Sequence, residues 1–405
     1  MRFLFPGIFL LLMLLPCGAI PNSIFGSIGQ AESPLNGEDL TDILLGDDLW
    51  IGAVAAPGEW RWEASVPGTQ SSHLLARPKV FGQDALLVRR LMRGKALEEL
   101  QVTFADAGSY FGYFNERLPE GLSRRDRAEE MQRRLAQRQT EFQSLYEKSV
   151  EDLREVLAAR ATGKRVREVK VGRSRTTRAV MERYELGDFE AHLLASPDRL
   201  VRVSLYRTGQ APEGWMDRGL SELRKGDYLD LLEDRVTTNE RGDVFLKDLE
   251  VVPQGYKPYC GLNTLTMSAR YLGLHLDEDW LAAAGQFQNT GSAAGSRMLS
   301  LYSSVASEAR LGLKRSSSFD ANLVRKSLDE GLPVVVWRRW SQERDQIHTA
   351  VSRAVAKGLD KSFDPPEADY PGESAPLHAS VIVGYHKNRG EFLFLESWSG
   401  RDGPR

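Results

Sequence analysis

One cysteine lies where a nucleophile is expected. Cys260 follows Pro258 and precedes Leu262, Leu265 and Ala269, whose helical spacing predicts a helix that begins at Cys260. The positive end of the helix dipole stabilises a thiolate at that position, and the thiolate is the form of cysteine that attacks an acyl carbon. The competing interpretation is a buried, inert thiol, which is the commoner role of a lone cysteine.

A thiolate nucleophile needs a proton carrier, and His378 has the most suitable setting among the histidines. It stands between a proline-rich loop and an apolar run that predicts a buried strand, so its ring can face a cleft. A second predicted strand, over 391–395, leads to Glu396. Antiparallel pairing would bring that carboxylate beside His378, where it would orient the ring and favour the imidazolium. The alternatives are a core histidine at 378 and His348 as the base.

These residues and their neighbours resemble the active site of papain-like cysteine peptidases. The matching positions are Gln254 with Cys260-Gly261, then His378-Ala379, Gly384-Tyr385 and Ser397-Trp398. The octapeptide that begins at Cys260 and the run from Leu332 to Val336 are most similar to the bacterial branch that includes bacteriocin-leader-processing, or double-glycine, peptidases. The resemblance covers about residues 250–400, and Gly261 would support the substrate cleft.

The resemblance implies a papain-like fold, in which a helix packs on an antiparallel sheet, and a hydrolase that needs no cofactor or metal. Cys260 would attack the substrate carbonyl, and His378 would carry the proton. Gln254 and the backbone N–H of Cys260 would stabilise the oxyanion. Glu396 would orient His378, and Trp398 would either shield that hydrogen bond from water or serve packing alone.

Two features depart from that family. Papain-like enzymes usually carry asparagine, and the bacteriocin branch carries aspartate, where this chain has the longer Glu396. The sequence also ends at Arg405, seven residues after Trp398, where papain-like folds usually add another strand. We therefore expect either a C-terminally truncated chain or a minimal sheet.

The first residues are typical of an export signal. An apolar run from Phe3 to Leu15 follows a basic residue, and small residues suit cleavage after Ala19. We expect a signal peptide over 1–19, a linker over 20–40, and export to the periplasm or the cell exterior. Cleavage would remove Cys17 and leave the mature chain one cysteine. An uncleaved membrane anchor is the alternative.

Residues 41–250 predict a separate α+β domain ahead of the catalytic region at 251–405. Strand-like segments flank a long amphipathic helix over 123–160, and the charged residues 213–250 predict further helix. Two similar stretches, one within 91–104 and one within 193–205, indicate either a duplicated β-unit or chance similarity between hairpins. This domain would act as a pro-segment, a lid or a recruiting module.

Composition excludes several other classes of protein. Lys and Arg number 53 against 56 Asp and Glu, for a net charge of −3, which excludes a globally basic nucleic-acid binder. Two cysteines exclude a disulfide scaffold and a multi-cysteine zinc site. No apolar run predicts a membrane span beyond the signal peptide.

The sequence thus favours an α+β protein that is an exported cysteine peptidase acting on peptide or protein substrates. The alternatives are a papain-like amidase or acyltransferase acting on cell-wall peptides, and a catalytically inactive papain-like binding module. The sequence leaves the oligomeric state open.

Overall fold

The computed structural model describes residues 33–112, 118–163, 166–255, 257–287, 297–358 and 370–397. These residues form an α+β protein in which the paired strands of the two larger sheets are antiparallel. The predicted signal peptide, residues 20–32 of the predicted linker and Trp398 lie outside the described residues. Within the described part, no helix is long and apolar enough to cross a lipid bilayer.

The first sheet has eight strands. The strands up to residue 207 are β1 (Trp60–Glu63), β2 (Gln70–Leu74), β3 (Lys79–Val80), β4 (Gln83–Asp84), β5 (Leu87–Arg93), β6 (Ala96–Asp106), β7 (Arg167–Val171), β8 (Ala179–Leu186), β9 (Phe189–Ser196) and β10 (Leu200–Arg207). The spatial order is β1-β2-β5-β6-β10-β9-β8-β7, and β3 and β4 form a separate hairpin. The two stretches with similar sequences are therefore the hairpins β5–β6 and β9–β10, which meet at the centre of the sheet.

One face of this sheet is apolar and carries the long helix. The helices before β7 are α1 (Thr41–Leu44), α2 (Asp47–Trp50), α3 (Ala107–Phe111) and α4 (Arg124–Arg160). Ser123 caps α4 by accepting a hydrogen bond from the N–H of Asp126. Leu153 and Leu157 of α4 are buried in the same core as Val102 and Val203 of the sheet. The helix predicted over 123–160 is thus confirmed.

The second sheet lies in the C-terminal half, the part of the chain that also contains helices α5 to α11. Its elements are α5 (Arg218–Ser221), α6 (Lys225–Glu233), β11 (Val236–Thr238), β12 (Asp243–Leu246), α7 (Cys260–Tyr271), α8 (Glu278–Ala284), α9 (Met298–Glu308), α10 (Ala321–Asp329), β13 (Val334–Arg339), α11 (Gln342–Ala356), β14 (Leu377–His386) and β15 (Phe392–Leu395). β14 is central, because it pairs with β12, β13 and β15. Every residue of α7 is buried, and Met267 packs with Val381 and Val383 of β14.

The segment 213–250 is helical as predicted only in its first part, where it forms α5 and α6. Its last part forms the hairpin β11–β12, whose second strand pairs with β14 although it precedes the expected boundary at residue 250. Tertiary pairing overrides the helical preference of a charged segment here. The core likewise crosses that boundary, since Met181 and Leu200 of the first sheet pack with Leu262 of α7.

Candidate active site

Cys260 is the first residue of α7, as the sequence predicts. The residue is 7% exposed, and Tyr259 before it supplies no side-chain cap to the helix. The first turn carries no acidic residue, so no carboxylate in it opposes the positive end of the dipole. Tyr302 of α9 lies close enough to be affected by the thiol: burial raises the pKa of its hydroxyl, and the charge of Cys260 raises that pKa further. The thiol is therefore enclosed, at a helix end that favours its ionised form.

Gly261 sets how closely α7 approaches the second sheet. A Cβ atom on Gly261 would lie 2.8 Å from the indole ring of Trp337. Trp337 belongs to β13 and is the register partner of Ala379 on β14. The first turn of α7 therefore lies at the end of β14 that carries His378.

His378 is held by Glu396, and both side chains are almost fully buried. Nε2 of the imidazole lies 2.7 Å from Oε2 of the carboxylate. This contact leaves Nδ1 as the ring nitrogen that can exchange a proton with a neighbouring group. The sequence-predicted pairing of this histidine with this carboxylate is thus observed.

Two further side chains bind the same carboxylate. Nη2 of Arg338 donates to Oε1 of Glu396 at 2.7 Å, and the hydroxyl of Ser380 donates at 2.9 Å. Burial raises the pKa of Glu396, but the hydrogen bond and charge of His378 and the charge of Arg338 outweigh it, so the pKa is lowered. Glu396 is therefore ionised at neutral pH and can stabilise an imidazolium at His378.

Strand geometry explains why these four groups meet. His378 and Ser380 are two residues apart on β14, so their side chains lie on the same face of the sheet. Arg338 is the cross-strand partner of His378, so its side chain faces the same side. Leu395 pairs with Val381, which places the next residue, Glu396, beside Ser380.

Gln254 is tied to the residue that follows Glu396. Its backbone N–H donates to the carbonyl of Ser397 at 2.8 Å, and the hydroxyl of Ser397 donates to its Oε1 at 2.6 Å. Its Nε2 donates to the carbonyl of Lys257 at 3.2 Å. The side-chain amide of Gln254 is therefore held by hydrogen bonds at both its oxygen and its nitrogen.

Of the predicted site residues, His378 and Glu396 are hydrogen-bonded to each other, and Gln254 is hydrogen-bonded to Ser397, the neighbour of Glu396. Cys260 and Gly261 lie in the first turn of α7, at the same end of β14. Trp398 lies outside the described residues. His348 lies on α11 and lines a cavity of about 380 Å³ with Arg338 and Glu396.

Sequence reasoning missed Arg338 and Ser380 as partners of the site, and it named Ser397 only within the resemblance, without a role. A serine two residues after His378 in an otherwise apolar strand was a usable signal for Ser380. The role of Arg338 depends on the register of two strands that are far apart in sequence.

The described residues contain no group of three or more His, Cys, Asp or Glu side chains arranged to hold a metal ion. Comparisons of the chain with protein-family models, with curated proteins and with solved structures find no match.

Proposed function

We propose that this protein is an exported cysteine peptidase of papain-like type that hydrolyses bonds in peptide or protein substrates. The observation that carries the proposal is the buried hydrogen bond between Nε2 of His378 and Glu396, at the end of β14 against which the Cys260 end of α7 packs. A thiolate–imidazolium pair forms where an imidazole that is backed by an ionised carboxylate meets a thiol at a helix N-terminus.

In the first half of the reaction, the thiolate of Cys260 attacks the substrate carbonyl carbon and the C=O electrons move onto oxygen. The side-chain amide of Gln254 and the backbone N–H of Cys260 donate to that oxyanion. The tetrahedral intermediate then collapses and the C–N bond breaks. The proton on Nδ1 of His378 passes to the leaving amine, so a thioester and a neutral imidazole remain.

In the second half, the neutral imidazole of His378 takes a proton from water, and the hydroxide attacks the thioester carbon. Collapse releases the carboxylic acid and returns the sulfur of Cys260 as a thiolate. Glu396 keeps its charge throughout and stabilises the imidazolium whenever it forms.

Alkylation at pH 6 tests the thiolate directly, because a free thiol is almost wholly protonated there. We expect iodoacetamide to modify Cys260 of the full-length protein rapidly, and the His378→Ala variant at least about ten-fold more slowly. The Cys260→Ala variant corrects for any reaction at Cys17. Peptide-library cleavage followed by mass spectrometry should show turnover in the wild type and none in Cys260→Ala.

Three outcomes would overturn the peptidase proposal. Turnover that survives Cys260→Ala would remove the nucleophile. Release of fragments from cell-wall peptides, with no cleavage of ordinary peptides, would favour an amidase or acyltransferase. Slow alkylation that is the same with and without His378 would favour an inactive binding module.

A further inference from the structure

A half-buried lysine, Lys257, connects the first sheet to the active-site loop. By the active-site loop we mean residues 254–255 and 257–259. Nζ of Lys257 lies 2.9 Å from Oδ2 of Asp106 and also contacts Oδ1 of Asp279. Asp106 ends β6 of the first sheet, whereas Asp279 belongs to α8. Both carboxylates are at least 95% buried, so water screens this interaction little.

The backbone of the same lysine holds the side chain of the oxyanion glutamine. The carbonyl of Lys257 accepts from Nε2 of Gln254, and its N–H donates to the carbonyl of Gln254 at 3.0 Å. A shift of Lys257 would therefore move the donor that the proposed mechanism aims at the oxyanion.

The residue before the nucleophile also rests on the first sheet. Tyr259 is 4% exposed, and a Cβ atom at Gly108 would overlap its hydroxyl oxygen. Gly108 lies in the first turn of α3, which Asp106 caps through the N–H groups of Gly108 and Ser109. The turn from Asp106 to Ser109 thus contacts the active-site loop at two residues, Lys257 and Tyr259.

We propose that Asp106 is a positioning residue for the oxyanion donor: through Lys257 it fixes Gln254, which makes the first sheet a permanent part of the catalytic unit. The inference rests on the proposed function and deepens it, because it assigns residues 41–250 a role other than a removable pro-segment or a lid. The continuous core formed by Met181, Leu200 and Leu262 agrees with such a fixed attachment.

The Asp106→Asn variant removes the negative charge of residue 106 while preserving the fold. Asparagine caps a helix about as well as aspartate, so α3 keeps its cap. Lys257 also keeps a partner, because burial and then the charge of Asp106 raise the pKa of Asp279 to about 7, and removing that charge favours ionised Asp279. The lysine should then move toward α8 and release Gln254 from its aligned position.

We expect Asp106→Asn to lower kcat by about 10²-fold with little change in KM, as a displacement of about 1 Å in a reacting group can do. The rate of Cys260 alkylation at pH 6 should stay within about two-fold of wild type, because the thiolate pair is left intact. In a Gln254→Ala background the same substitution should have almost no further effect on kcat. The control is Asp320→Asn, an exposed helix cap on α10, which should leave kcat unchanged.

Amide hydrogen exchange separates this inference from the peptidase proposal. Asp106→Asn should raise exchange in the peptide that spans Gln254 to Cys260, and Asp320→Asn should not, whether or not the protein cleaves peptides. Unchanged exchange and unchanged kcat in Asp106→Asn would overturn the inference, as would a kcat loss that is undiminished in the Gln254→Ala background. If Asp106→Asn fails to fold, Gly108→Ala displaces Tyr259 without altering charge, and unchanged exchange in that variant would overturn the inference equally.

Discussion

The charge on Glu396 is stable in the protein interior because three donors share it. His378, Arg338 and Ser380 all contact a carboxylate that is 2% exposed. An uncompensated carboxylate at such a site would take up a proton instead. Glu396 is one methylene longer than aspartate, and its site provides hydrogen-bond partners for both of its carboxylate oxygens.

Replacing Glu396 by glutamine tests whether its charge stabilises the imidazolium. The amide oxygen of Glu396→Gln can still accept from His378, but the negative charge is lost, so the imidazolium becomes less favourable. We expect the alkylation rate of Cys260 at pH 6 to fall about ten-fold, which corresponds to about one pKa unit in the pair. Glu391→Gln, an exposed change just before β15, is the matched control. Equal rates in wild type and Glu396→Gln would show that the charge has no such effect.

Among the strands, β14 approaches β12 closely at one glycine, Gly384. The pairing of β14 with β15 shifts register between Ile382 and Gly384, and Gly384 also pairs with Phe245 of β12. A Cβ atom at Gly384 would overlap the carbonyl oxygen of Val244. Only glycine therefore allows β12 to approach the strand that carries His378.

We expect Gly384→Ala to lower the free energy of unfolding by about 1–3 kcal/mol, because backbone atoms of β12 must move to admit the methyl group. Urea unfolding measures the change. Gly372→Ala serves as the control, since nothing lies within 4 Å of the added Cβ and its φ is not positive. Equal urea midpoints for the two variants would contradict the close approach of β12 and β14.

At the scale of the whole molecule, ion pairs cross between the polar face of the first sheet and the C-terminal half. Arg202 of β10 binds Asp277 through Nη1 at 2.6 Å, and Nη2 of Arg93 lies 2.6 Å from Asp217. His275 contacts the same Asp217 oxygen at 3.0 Å. Arg202 and Asp277 are both buried, and a buried pair contributes little net stability although removing one of its partners is costly.

Asp217 gives these contacts a pH dependence. Burial raises its pKa, but the hydrogen bonds from His275 and Arg93 outweigh it and lower the pKa from 3.8 to about 2. A carboxyl group with a depressed pKa in the folded state stabilises the fold above its unfolded value, and that stabilisation disappears as the pH falls from about 4 to about 2.

We expect Asp217→Asn to lose about 1–2 kcal/mol of unfolding free energy at pH 6 and to show a weaker loss of stability than wild type between pH 4 and pH 2. Urea unfolding across that pH range measures both effects. Asp42→Asn removes an exposed pair with Arg160 and should cost less than about 1 kcal/mol. Parallel stability–pH curves for wild type and Asp217→Asn would contradict the linkage.

Local sequence patterns predicted the features that depend on neighbours along the chain. Hydrophobic periodicity and flanking helix-breaking or turn residues within single segments predicted three features: the helix start at Cys260, the strand after His378 and the long helix α4. The contacts of Arg338 with Glu396 and of Asp106 with Lys257 could not be predicted, because they depend on pairing between distant strands and on how the two halves dock. The hairpin β11–β12 was missed because its partner, β14, lies more than a hundred residues further along.

The seam between β6 and β10 has a consequence for the order in which the chain folds. The hairpins β5–β6 and β9–β10 each close locally. The pairing of β6 with β10 joins Asp106 to Leu200, so the chain between them, including the 37-residue α4, must fold back before these strands can pair. Asp106 lies at the very end of that seam. If the proposed mechanism holds, a nascent chain would align its oxyanion donor only after this long-range pairing is complete, which would delay cleavage until the N-terminal half has folded.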